Sequence, residues 1–260
     1  MEISSYSTAR RKTRTGLAWS VSAALAAIIV LVSAPADAIA QSSTGAISSA
    51  AEQYQADVAW LADDALEGRG MESAGLEKSG KWVARQFEVI GLEPAGDDGF
   101  FDPFTAQVMI PDPDQADNPH GGERREVKAF NVVGRIPADA ANRLPGAIVV
   151  GAHYDHLGMG GQGSLEPDKV EIHNGADDNA SGTAALLAVA RDLVERSDEL
   201  RRDVWFVAFS LEEKGLLGSS TFAREPTGGL EMDSVFAMLN MDMVGRLTDD
   251  KLQVLGGGSA

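Results

Sequence analysis

His153 and Asp155 stand two residues apart at the end of one apolar run, AIVVGAHYDH (Ala147–His156). A second run, DVWFVAFS (Asp203–Ser210), leads into the adjacent acids Glu212 and Glu213, and a third, VFAMLNMD (Val235–Asp242), ends on Asp242. Between the first two lies the Gly/Asp turn HNGADDNASG (His173–Gly182), which carries Asp177 and Asp178. If these groups meet, they cannot be left unneutralised. Two like charges about 4 Å apart repel by roughly 4 kcal/mol at an effective dielectric of 20, and several such pairs exceed a typical fold stability of about 5–15 kcal/mol. One imidazole among carboxylates is a hard-to-borderline donor set, suited to zinc before manganese or cobalt.

The elements that must position these groups follow from apolar periodicity. Ala50–Leu61 and Gly75–Ile90 show helical spacing, the second with Trp82, Val83, Phe87 and Ile90 toward a core. GLEPAGDDGFFDPF predicts turns around an aromatic cluster, and PDPDQADNPHGGERR (Pro111–Arg125) an exposed loop. NVVGRI (Asn131–Ile136) and the three runs above read as strands, with Asp203–Ser210 apolar on both faces. Ser181–Ser197 reads as a helix capped by Ser181, a second helix follows Glu213, and KLQVLGG opens one more strand. Strands alternating with helices predict an α/β layered fold with a mostly parallel central sheet, whose sites form at the carboxyl ends of the strands.

GAHYDHLG, HNGADDNASGTAA, FSLEEKGLLGS and LNMDMVGR, in that order, resemble the co-catalytic zinc exopeptidases of metallopeptidase family 28; LADDALEGRG and FNVVGRIP upstream also look like the family. The resemblance implies a three-layer zinc-exopeptidase fold and an aminopeptidase acting on peptides. It makes His153 and Asp242 ligands of one Zn2+, Asp177 the shared carboxylate, and Glu213 a ligand of the second ion. It makes Glu212 the general base for water and Asp155 the acceptor that fixes the His153 tautomer. A cis peptide is implied between Asp177 and Asp178. The family's second zinc takes a histidine far downstream, so a chain ending at LGGGSA predicts a missing C-terminal part and a second site short of one ligand. The other functions weighed are a related amidohydrolase, carboxypeptidase or glutaminyl cyclase, and an inactive metal-binding fragment or receptor-like relative.

The remaining histidines read more plainly. His156 is expected to point away from the His153 partners or line the rim, His173 to make a loop hydrogen bond, and His120 to be solvated. GMGGQG (Gly158–Gly163) reads as a flexible loop beside the site, since no lysine-bearing helix follows it.

A net charge of −17 argues against nucleic acid as a partner, because phosphate binding needs clustered Lys and Arg. RRKTR, the apolar Leu17–Ala34 and the small-residue sites at Ala38 and Ala40 predict a signal peptide over residues 1–40. The organisation predicted is a signal peptide (1–40), an N-terminal helical segment with a loop (41–128) and a zinc peptidase domain (129–260). A periplasmic or secreted chain is expected, without stable membrane association after cleavage. It holds together without disulfides, because there is no cysteine.

Overall fold

The structure, a computed structural model, describes residues 36–111, 122–139, 141–161, 164–166 and 168–246. Contacts divide the chain into Met1–Thr44 and Gly45–Ala260, and the sheet and the candidate site lie in the second unit. The expected apolar signal segment, His120, most of the Pro111–Arg125 loop and KLQVLGG lie outside the described residues.

Helix α1 (Ala36–Leu61) and helix α2 (Ala74–Ile90) precede a sheet of strands β1 (Glu93–Pro94), β2 (Phe101–Pro111), β3 (Gly122–Ile136), β4 (Ala147–His153), β7 (Asp203–Phe209) and β8 (Val235–Asn240). Strands β5 (Gly158–Gly160) and β6 (Val170–His173) form a separate ribbon, helix α3 (Gly182–Glu195) precedes β7, and helix α4 (Leu217–Arg224) lies between β7 and β8. The sheet runs β1-β3-β7-β4-β8, with β2 also paired to β3. β4 is parallel to both β7 and β8, whereas β3 pairs antiparallel with β1, β2 and β7. The sheet is therefore mixed, and its parallel part is the part that carries the candidate site.

β7 is buried along its whole length because both of its faces are covered. Val204, Phe206 and Ala208 alternate into the core shared with α2 and α3, where Val83, Phe87, Leu186 and Leu187 pack. Trp205, Val207 and Phe209 point the other way, against Phe222 of α4 and Val133 and Val149 of the neighbouring strands. Two helical layers thus sandwich the sheet, and each large side chain buried contributes about 1.5–3 kcal/mol. Ser73 caps α2 by accepting from the Leu76 N–H, and Gly91 closes it in the left-handed conformation.

Two expectations change here. Phe101–Phe104, expected as the end of a stretch of turns, instead opens the strand Phe101–Pro111; among the described residues β2 pairs with β3 alone, so Pro103 sits on an edge that tolerates a missing donor. β8, expected to be buried, is the outermost strand beside β4 among the described residues, and Phe236, Met238 and Leu239 are exposed on it.

Candidate metal centre

The parallel pairing aligns His153 of β4 with Phe209 of β7, and Gly151 of β4 with Asn240 of β8. All three strands therefore end at one edge, and the next few residues of each turn over it. After β7 the chain kinks at Leu211, which is held at φ +54°, and this presents Glu212 and Glu213 side by side. Asp155 fixes that kink: its Oδ1 accepts the Glu212 N–H at 3.0 Å and its Oδ2 the Glu213 N–H at 3.2 Å. The turn before α3 is tied to the segment after β8 through buried Asn179. Its Oδ1 accepts from the N–H groups of Gly182 and Met243, and its Nδ2 donates to the Met241 carbonyl.

His153 Nε2 faces three carboxylates: Asp178 Oδ1 at 3.3 Å, Asp242 Oδ1 at 3.5 Å and Glu212 Oε2 at 3.8 Å. The ring is 2 % exposed, and Thr183 Oγ1 holds its main chain by donating to the His153 carbonyl at 2.8 Å. His156 Nδ1 lies 2.6 Å from Glu213 Oε1 and 3.9 Å from Asp178 Oδ1. Two donor groups result, His153–Asp178–Asp242 and His156–Asp178–Glu213, and each has its donor atoms within 4.8 Å of one another. Asp178 belongs to both.

Burial alone disfavours the His153 imidazolium, but Asp155, Asp178 and Asp242 more than offset it and push the pKa up to about 12. The acids facing His153 Nε2 thus favour positive charge there. Asp178 is held below the usual carboxylate range, first by its hydrogen bond to His153 and then by the charges of His156, His153 and Arg69. Glu212 moves upward, chiefly by desolvation and then through Asp155, Glu213 and Asp242. Neighbouring acids pushed apart in proton affinity are the pattern of a site in which one carboxylate binds and another moves protons.

Distances test whether the donors fit zinc. Bonds of about 2.0–2.1 Å in a tetrahedral shell set ligand atoms roughly 3.3 Å apart. The 3.3 and 3.5 Å separations around His153 match that spacing. The 2.6 Å contact of His156 with Glu213 does not, and it is a charge-assisted hydrogen bond in which Nδ1–H donates to the carboxylate. The donor set therefore fits a first ion at His153, Asp178 and Asp242. Asp178 and Glu213, whose donor atoms lie within 4.8 Å of each other, are left for a second, with His156 steadying Glu213.

The geometry moves five expectations. Asp177, expected as the shared carboxylate, joins neither donor group: it accepts from the Gly245 N–H at 3.0 Å and from Arg246 Nε at 2.5 Å. Asp178 is the member of both groups, and the cis peptide lies after it, at Asp178–Asn179. Asp155 approaches the His153 ring mainly through its main-chain oxygen, 3.2 Å from Nδ1, while its carboxylate is 3.6 Å away and occupied by the two glutamate N–H groups. Ser181 makes no cap; it donates to the Asp177 carbonyl and accepts from the Val244 N–H. His156 lies inside the site rather than at its rim. Residues of mixed Asp-Asp and His-x-x-His spacing give no sequence signal for which member faces inward, because a turn, unlike a strand, has no fixed period.

Residues 131–260 match Peptidase family M28. The chain belongs to that family. A probable leucine aminopeptidase of Arthroderma otae is 32% identical over 136 residues, which is 50% of this chain and 33% of that protein. Aminopeptidase YwaD of Bacillus subtilis is 36% identical over 126 residues, 46% of this chain and 24% of that one. The chain thus spans about a third or less of the curated relatives named here. Among solved structures, the aminopeptidase of Aneurinibacillus sp. strain AM-1 superposes with a TM-score of 0.55 at 15% identity, covering 75% of this chain and 70% of that one. Bacteroides thetaiotaomicron glutaminyl cyclase gives 0.53 at 22%, covering 75% and 62%. At such identities these two speak for the fold alone.

Proposed function

We propose that this M28 chain is an exported, zinc-dependent exopeptidase that removes N-terminal residues from peptides. The observation that carries the reading is that Asp178 belongs to both donor groups while Glu212 stands beside His153 and outside both. His153, Asp178 and Asp242 would hold one Zn2+, and Asp178 and Glu213 the other. Bound there, the ions supply Lewis acidity toward a carbonyl oxygen and a water. Glu212 takes a proton from that water and delivers it to the departing amine, a role its raised proton affinity supports. Asp155 holds Glu212 and Glu213 by their main chain, so the base and a ligand keep fixed positions relative to His153. A recess of about 450 Å³ opens beside Glu212, Asp242 and His153, walled by Phe209, Phe222 and Met238, and offers room for a substrate side chain. The leucine aminopeptidase relatives favour peptide N-termini as the target. Residues 1–40 are assigned to export on the basic, apolar and small-residue pattern there, and residues 41–128 and 129–260 to a bracing segment and the peptidase domain.

The test is Glu212→Gln. Turnover of a leucine-headed peptide should fall by about a hundredfold or more with zinc content unchanged. Undiminished turnover in that variant would refute the assignment of the base. Hydrolysis of N-terminally blocked peptides, or cyclisation of an N-terminal glutamine in place of hydrolysis, would refute the aminopeptidase reading.

A further inference from the structure

Arg69 is 0 % exposed and is the largest of the fully buried side chains. Its hydrogen bonds all end on main-chain carbonyls: Nε donates to Tyr154 at 2.8 Å, Nη2 to Gly175 at 2.9 Å, and Nη1 to Asn174 at 2.7 Å and to Leu61. The planar fork thus joins three segments that are remote in sequence. These are the end of α1, the stretch between His153 and Asp155, and the turn three residues before Asp178. The local chain is shaped for this insertion. Arg69 itself is held at φ +51°, and a Cβ on Gly68 would lie 2.4 Å from the His173 carbonyl oxygen. The Arg69 carbonyl in turn accepts from the His156 N–H at 3.2 Å.

A buried guanidinium without a carboxylate in contact is costly unless charge nearby offsets it. That charge comes from the acidic cluster, since Asp155, Asp178 and Glu213 all act on Arg69 from a distance. Burial lowers its pKa to about 10, which leaves it cationic at neutral pH. The cation and the cluster therefore stabilise each other across a gap. Gly175 forms the other wall of the turn. It sits at φ +59°, where a Cβ would be 2.3 Å from the Asp178 carbonyl oxygen and 2.6 Å from the His156 ring. The turn is pinned from one side by Arg69 and packed on His156 from the other.

We infer that Arg69 is a positioning residue for the metal centre, holding the Asn174–Gly175 carbonyls so that Asp178 faces both histidines and serving as the internal counter-charge of the acidic cluster. This rests on the zinc reading above and extends it to a residue that touches no ion. A lysine keeps the charge but cannot reach four carbonyls from a single ammonium, so charge and geometry separate experimentally.

The experiment measures zinc affinity by chelator competition in the chain and in Arg69→Lys and Arg69→Ala. Hydrogen exchange is followed over residues 174–181. Both variants should bind zinc about 10–100-fold more weakly, the range seen when an outer support of a metal ligand is lost. Exchange should rise over 174–181, and millimolar guanidinium should restore affinity to Arg69→Ala where ammonium does not. A folded Arg69→Lys with unchanged zinc affinity and unchanged protection over 174–181 would overturn the inference. So would an Arg69→Ala that guanidinium leaves unrestored. If Arg69→Ala does not fold, the lysine variant decides alone. Failure of the parent chain to bind zinc would remove the metal reading instead, and the exchange pattern would still report whether Arg69 anchors the turn.

Discussion

Asp178→Asn removes the one carboxylate common to both donor groups, whereas Asp177→Asn removes an exposed ion pair with Arg246. Zinc titration should therefore show Asp178→Asn losing most of its bound metal while Asp177→Asn keeps near-parental affinity, since exposed pairs contribute about 0–1 kcal/mol. Equal losses in the two variants would return the shared role to Asp177. His156→Asn makes a subtler comparison, because an asparagine amide can still donate toward Glu213. It should retain zinc better than His156→Ala if His156 acts through its 2.6 Å hydrogen bond to that carboxylate. Two apparent imidazole ligands in the absorption spectrum of a cobalt-substituted chain would contradict that role. These choices between neighbours were not legible in the sequence. Residue types and order marked His153, Glu212, Glu213 and Asp242 as candidates, but which acid of the ADDN turn points inward depends on Arg69 and Asn179 holding its two ends.

The elements that carry the site depend on Asn131, a side chain with no apparent chemistry of its own. It is 0 % exposed, donates to Asp102 and the Gly218 carbonyl, and accepts from the Ser210 N–H. It therefore links β2, β3, the end of β7 and the start of α4. Asn131→Leu leaves the Ser210 N–H without that acceptor and should lower unfolding free energy by about 1–3 kcal/mol or more, read from denaturant midpoints. A shift within a few tenths would mean that this junction contributes nothing. Sequence periodicity identified β4, β7, α2 and α3 nearly to their ends, because each is buried by neighbours on the faces that its pattern marks. It missed β2, whose Pro103 and clustered aromatics resemble a turn and become a strand only through pairing with β3. It overstated the burial of β8 because apolar content does not reveal a strand's place in the sheet order. Ser181 failed as a cap for a related reason: Asn179 already accepts the Gly182 N–H, which frees the hydroxyl to bind the segment after β8.

For the molecule as a whole, a net charge of −17 and a cluster that pulls His153 up to about 12 couple folding, protons and metal. With chelator present, the folded chain holds the His153 proton up to about 12, whereas an unfolded chain releases it near 6.5. The folded state then binds more protons between those values. This contribution to stability is complete below about 6.5 and is lost as pH rises toward about 12. Zinc acts in the opposite sense. It binds only neutral imidazole, so each His153 proton released raises apparent affinity by about tenfold per pH unit. Zinc at a hundred times its dissociation constant adds about 2.7 kcal/mol to the folded state. Melting temperatures in EDTA and in excess zinc should therefore diverge as pH rises from about 6 to about 8, the chelated chain falling and the zinc-loaded chain holding or rising. Calorimetric titrations in buffers of different ionisation enthalpy should count on the order of one proton released per first zinc bound at neutral pH. A gap that narrows with rising pH, or zinc uptake without proton release, would mean that His153 is not the nitrogen displaced from its proton by the ion, and the donor set around it would have to be redrawn.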